Sequence, residues 1–207
     1  MAEIMRPAEI EKRSFEIITE LLGDRRLDPE NEAVIKRAIH TTADFDYADN
    51  LVFSEHAVRR GMEALRSGCD VVTDTQMARA GINKTVLGRL GGTVRCFMSD
   101  EDVAEEASRR GVTRAAVSME RAAALDRPCV FAVGNAPTAL FRLCELMDEG
   151  ALAPALIIGV PVGFVNVVES KERVIASGAP HIVARGRKGG SNVAAAIVNA
   201  LLYQISR

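Results

Sequence analysis

The chain has 207 residues, 48% hydrophobic and 26% charged, a balance that excludes a disordered or collagen-like protein and leaves room for one sizeable core without disulfide staples. Its 26 basic and 28 acidic side chains nearly cancel to a formal charge of -2, and no basic stretch interleaves with aromatics, so no nucleic-acid partner is expected. Cys69, Cys96, Cys129 and Cys144 show no C-x-x-C spacing and are read as buried thiols of a protein in a reducing cytoplasm.

The N-terminal stretch MAEIMRPAEIEKR alternates charges and lacks the apolar core of a signal peptide, so no export is expected. Pro7 then opens a predicted amphipathic helix over residues 7–22, with Ile10, Ser14, Ile17, Ile18 and Leu21 on its inward face and Gly23 at its end. Asp28 and Pro29 supply the cap and first turn of a second helix that ends near Ile39 or His40, and Arg37 and His40, three apart, share one side of it. Ser54 is read as the cap of a helix through Arg66. Beyond Gly68, candidate strands at 69–73, 93–98, 129–133, 155–160 and 181–184 are joined by loops and by helices near 100–110, 113–125, 137–148 and 191–205. Short apolar strands without clean alternation fit parallel strands covered on both faces. The expected fold is therefore α/β: a single domain over residues 1–207, with a mostly parallel central sheet flanked by helices and an N-terminal helical segment. The uncharged run 151–168 is read as a buried strand with flanking turns and not as a membrane helix, because Pro154, Pro161, two glycines and Asn166 interrupt it.

In an open α/β sheet, ligands bind beyond the carboxyl ends of the strands, which directs attention to TDTQ (73–76), GNAPT (134–138), GVPVGF (159–164) and RGRKGGSN (185–192). In the last, Gly189, Gly190 and Ser191 open a long helix whose free N–H groups suit an anion, with Arg185, Arg187 and Lys188 beside them; a plain tight turn fits the same residues. The Walker order is absent, so nucleotide binding has little support. In GNAPT, Asn135 or Thr138 is expected to cap the following helix. Asp44, Asp46 and Glu55 occupy three places of an EF-hand count, which Ala48 and Asp49 break; His40, His56 and His181 lie too far apart for a zinc motif. No protein-bound metal is expected. His56 and His181 are read as structural, whereas His40 stays open between a surface cap and a proton donor. The negative end of its helix favours a cation there, and Arg37 opposes one.

Six stretches, E-K-R-S-F-E-I-I (11–18), R-A-I-H-T-T-A-D-F-D-Y (37–47), G-N-A-P-T-A-L (134–140), G-V-P-V-G-F-V (159–165), E-S-K (169–171) and A-R-G-R-K-G-G-S (184–191), together resemble the precorrin-8X methylmutase family of cobalamin biosynthesis. The resemblance implies an isomerase that moves a methyl group from C-11 to C-12 of a corrin precursor and consumes no redox cofactor. It implies that His40 is the catalytic residue, a proton donor and acceptor at the ring nitrogen beside the migrating group, and that Ser14 and Arg37 bind the substrate. It also implies a homodimer with active sites near the subunit interface, and carboxylate arms on the substrate that the 185–192 loop would suit. HTTADFDY (40–47) is more similar to the members acting on cobalt-precorrin-8 than to those acting on metal-free precorrin-8X. The cobalt substrate is therefore expected, its metal carried inside the macrocycle. Two rivals differ in class: a non-catalytic corrinoid-binding carrier, which would not need His40, and a phosphate-handling α/β enzyme built on the 185–192 loop.

Overall fold

Alternating side chains of one sheet divide the interior into two apolar layers. The computed structural model describes residues 6–206; residues 1–5 of the charged N-terminal stretch, and residue 207, lie outside them. Six strands, β1 (Leu51–Phe53), β2 (Asp70–Thr73), β3 (Val94–Arg95), β4 (Cys129–Val133), β5 (Leu156–Gly159) and β6 (His181–Ala184), run in the order β1-β6-β5-β4-β2-β3. All pairs are parallel except β1 with β6. Val71, Val130, Leu156, Ile158 and Ile182 meet one layer of helices, α4 (Ala57–Arg66) and α11 (Ser191–Ser206), with α2 (Glu32–Thr42) packed behind α11. Val72, Phe131, Ile157 and Val183, one residue out of phase, meet the other: α8 (Arg114–Ala123), α9 (Pro137–Asp148) and α10 (Val167–Ala176). This period of two is the pleat of a strand buried on both sides, which is why these runs show no polar alternation in the sequence. The α11 helix lies between the sheet and α2, and Val193 to Val198 are buried around its whole circumference.

The mostly parallel α/β sheet agrees with the sequence reading, as do β2, β4, β5 and β6 within a residue or two. Several expectations change. β1 was not foreseen, being three residues long and on an edge, and β3 is shorter than predicted because β2 is its only neighbour in the sheet. The helix α1 (Pro7–Leu22) has the predicted span but a different inward face: Ile18 and Leu22 are buried, whereas Ile10, Ile17 and Leu21 are 51%, 39% and 66% exposed. α2 begins at Glu32, not Pro29, because Asp28 closes a separate turn in which its carboxylate accepts the Glu30 N–H at 2.8 Å and its carbonyl accepts those of Asn31 and Glu32. Ser54 does not cap α4. Its hydroxyl accepts the His181 N–H at 2.9 Å and its own N–H returns to the His181 carbonyl, extending the β1–β6 ladder. The run 151–168 carries β5, and among the described residues no helix is long and apolar enough to cross a membrane. All four cysteines are buried and unpaired, and burial pushes the Cys129 and Cys144 thiols up to about 11.

Candidate active site

α2 turns Val34, Ile35, Ala38 and Ile39 inward, which leaves Arg37 and His40 on the side that faces α1. His40 occupies the last turn and is exposed to solvent; Ala43, in the left-handed conformation, ends the helix just beyond it. The imidazole lies flat on the Phe15 ring of α1, with centroids 5.3 Å apart and planes 12° from parallel. The same Phe15 ring carries the Arg37 guanidinium, 4.7 Å from its centroid. The Tyr203 ring of α11 also lies against that guanidinium, at 5.2 Å, and Glu11 pairs with it at 2.6 Å. Arg37 is thereby held by two rings and a carboxylate, a geometry in which a planar cation keeps its direction. Ser14 precedes Phe15, but its hydroxyl donates to the Ile10 carbonyl at 2.8 Å, so toward a ligand it offers acceptor lone pairs.

Arg37 and Tyr203 form the wall between two clefts. One, of about 390 Å³, is lined by Phe15, Lys36 and Gln204; the other, of about 310 Å³, by Thr41, Met77 and Asn192. Asn192 belongs to the first turn of α11, so the glycine-rich loop reaches the same region as Arg37 and Thr41.

The four loops singled out in the sequence meet at the carboxyl edge of the sheet. Gly190 donates its N–H to the Val160 carbonyl at 2.9 Å, and Gly163 donates to that of Arg187. Ser191 and Thr75 share a hydroxyl hydrogen bond of 2.8 Å. Behind them Asp74, 1% exposed, accepts the N–H groups of Gly134, Asn135 and Ala136 at 2.8, 2.8 and 2.6 Å. Burial holds its pKa above the usual carboxylate range, and the three donors offset only part of that rise. Asp74, not Asn135 or Thr138, therefore closes the start of α9; Asn135 is exposed and Thr138 accepts a hydrogen bond from Thr113. Gly134 abuts α11 so closely that a Cβ there would lie 2.7 Å from the Ser191 Cα.

Two of the three cations of the 185–192 loop are engaged within the fold, and the third, Arg187, is exposed. Lys188 reaches Asp44 and Asp46, each at 2.6 Å, and Arg185 pairs with Glu172 at 2.8 Å. The acidic pair after His40, which imitates part of a calcium loop in sequence, thus serves a lysine. Lys188 holds the Asp44 carboxyl below the usual carboxylate range. Lys171 of α10, fully buried, donates to the carbonyls of Gly186 at 2.8 Å and Lys188 at 2.9 Å. His56 contacts Glu30 at 3.1 Å, and His181 is buried against the Ala179 carbonyl; both sit in the framework, as read.

Sequence reasoning assigned no role to Phe15, Tyr203, Asp74 or Lys171. Lys171 had a signal: it falls with Val167, Ser170 and Val174 at helical spacing on the buried stripe of α10.

Residues 9–204 match the family model described as precorrin-8X methylmutase. The chain is 48% identical to the cobalt-precorrin-8 methylmutase of Salmonella typhimurium over 99% of each. It is 44% identical to that of Priestia megaterium over 95% of this chain and 88% of the relative. A solved structure of a precorrin-8X methylmutase from Thermus thermophilus superposes with a TM-score of 0.87 at 36% identity, covering 95% of this chain and 97% of that one.

Proposed function

The chain belongs to the precorrin-8X methylmutase family, and from that premise we propose that it moves a methyl group from C-11 to C-12 of cobalt-precorrin-8, with His40 as the acid. As a member it is an isomerase of cobalamin biosynthesis, and no observation favours a corrinoid carrier. The observation that carries the site is the Phe15 ring, which presents an imidazole and a guanidinium side by side. A methyl shift within one bound molecule needs no net electron transfer. It needs the macrocycle held in one pose and a proton delivered to the ring nitrogen beside the migrating group. His40 gives that proton, the electron-poor ring accepts the methyl at the neighbouring carbon, and the imidazole takes the proton back. Arg37 is placed to pair with a carboxylate arm of the substrate, and Ser14 to accept a hydrogen bond from an N–H or O–H donor on the substrate.

The cobalt-containing substrate is supported by the relatives from Salmonella and Priestia, both named for cobalt-precorrin-8 and both more similar to this chain than the Thermus precorrin-8X enzyme. The metal is then cargo of the substrate. A homodimer, with the site near its interface, is supported by the exposed Ile10, Ile17 and Leu21 on α1 and by the size of the clefts. Each lies at the low end of the ~300–1,000 Å³ that encloses a drug-sized ligand, and a corrin with its arms is larger. A second copy on α1 would complete the enclosure. One methylmutase domain over residues 1–207 and a cytoplasmic location complete the reading, the latter supported by four unpaired thiols.

The test is anaerobic incubation of the purified protein with cobalt-precorrin-8 and, separately, with precorrin-8X, following the visible spectrum as the corrin chromophore forms. Faster conversion of the cobalt compound is expected. Faster conversion of the metal-free compound would reverse the substrate assignment, and binding without conversion of either would restore the carrier.

A further inference from the structure

We infer that Lys171 is a positioning residue of the methyl shift: its buried ammonium sets the 185–192 loop so that Lys188 can brace the end of α2 that carries His40. The inference rests on the reading of His40 as the acid.

A fully buried lysine normally faces a carboxylate, because taking an ammonium out of water costs several kcal/mol unless a partner restores the lost interaction. Lys171 faces two carbonyls instead, those of Gly186 and Lys188. Burial alone drives its pKa down, to about 8. An apolar residue of similar length would avoid that penalty but would leave both carbonyls without this donor. The carbonyls belong to a short segment whose backbone has few other ties: Arg187 accepts from Gly163, and Gly186 has a φ of 85°. Fixing residues 186 and 188 fixes the Cα from which the Lys188 side chain departs.

That side chain crosses to Asp44 and Asp46 at 2.6 Å each. These residues sit four and six positions beyond His40, just after the Ala43 turn that ends α2. Their own turn is tight: the Thr42 hydroxyl accepts the Asp44 N–H and the Asp44 carboxylate accepts the Asp46 N–H. A continuous strut thus runs from α10 through Lys171, the loop backbone, Lys188 and the aspartate turn to the last turn of α2. Phe15 supports the imidazole from α1, whereas this strut supports the helix beneath it. Displacing an acid by about 1 Å can cost about a hundredfold in rate, so a brace of this kind shows in kcat.

The test compares wild type with Lys171→Met, Lys188→Met, Lys188→Arg and the double Lys171→Met/Lys188→Met, each confirmed folded by circular dichroism. His40→Ala runs in parallel. The readouts are kcat and KM for formation of the corrin chromophore. A mispositioned acid lowers kcat and leaves KM nearly unchanged, so each methionine variant should lose about tenfold or more in kcat with KM within about threefold. The double variant should fall no further than about twofold below Lys171→Met, because both changes break one path. Lys188→Arg, able to reach both aspartates, should recover most of the rate. Folded Lys171→Met with wild-type kcat, or a double variant in which the two losses multiply, would overturn the inference and leave a purely structural lysine. If Lys171→Met does not fold, the exposed Lys188 decides: loss with methionine and recovery with arginine supports the strut, and undiminished kcat with methionine refutes it. Wild-type turnover by His40→Ala would instead remove the acid itself, and the inference with it.

Discussion

Asp74→Asn exchanges a carboxylate for an amide of the same shape at the junction that organises the strand ends. In the native chain this side chain is 1% exposed and accepts N–H groups from Gly134 on one oxygen and from Asn135 and Ala136 on the other. Two effects compete: desolvation favours the neutral acid and raises the pKa, while three converging donors favour the anion and limit the rise. An asparagine can turn its single oxygen toward Asn135 and Ala136, but its NH2 group then meets the Gly134 N–H, donor against donor. Losing one charge-assisted bond costs about 1.5–3 kcal/mol and stranding a buried N–H about 1–3 kcal/mol, partly offset because the amide carries no charge to desolvate. The net expectation is a destabilisation of about 2–4 kcal/mol, or a fall in Tm of roughly 4–16 °C for a chain of this length. Urea unfolding followed by circular dichroism, with thermal melts at the same pH, measures both. A variant as stable as wild type would refute the reasoning: it would mean that the folded protein already holds Asp74 neutral, since asparagine mimics the protonated acid.

Gly134→Ala tests the same junction from the other side. A Cβ there would meet backbone atoms of Gly190 and Ser191 at 2.7–2.8 Å, and backbone cannot rotate away, so a loss of about 1–3 kcal/mol is expected in the urea midpoint. Phe15→Leu keeps an apolar side chain but removes the ring face from both His40 and Arg37; with aromatic and cation-π contacts worth about 0.5–2 kcal/mol, kcat should fall by roughly twofold to thirtyfold, read from chromophore formation. Lys188 also makes stability depend on pH. It holds the Asp44 pKa below its unfolded value, so in acid the unfolded chain binds more protons, and the pair's contribution is present above about pH 4 and lost as the pH falls through the depressed value. The Tm difference between wild type and Lys188→Met should therefore shrink as the pH falls below about pH 4; a constant difference would contradict the pairing.

The parts of the fold that could be read from the sequence are those where local pattern and tertiary environment agree. β2, β4, β5 and β6 are apolar runs because both their faces are covered, and α7 (Glu101–Arg110), α8 and α9 lie within a residue or two of their predicted spans. The errors fall where a distant partner overrides the local signal. Ser54 looks like a cap in isolation, yet the neighbouring strand β6 claims its hydroxyl. Ile10, Ile17 and Leu21 have helical spacing, but α2 covers a different stripe of α1, leaving them outward. At the site, the histidine and arginine share a helix and their spacing shows that they share a face. Phe15 and Tyr203 lie on two other helices, and only the packing of α1, α2 and α11 brings them to the guanidinium. Lys188 lies 144 and 142 positions beyond Asp44 and Asp46, so no spacing rule could pair them.

The measurement that reaches the centre of the account is a single-turnover comparison of wild type and His40→Ala with cobalt-precorrin-8, combined with equilibrium binding of the corrin product to each. General acid catalysis contributes about 10²–10⁴-fold. The expected result is a loss of that size in the rate of chromophore formation, with product affinity changed little, because Arg37 and its two rings remain in place. A variant that binds product and forms it at the wild-type rate would show that the proton comes from another group.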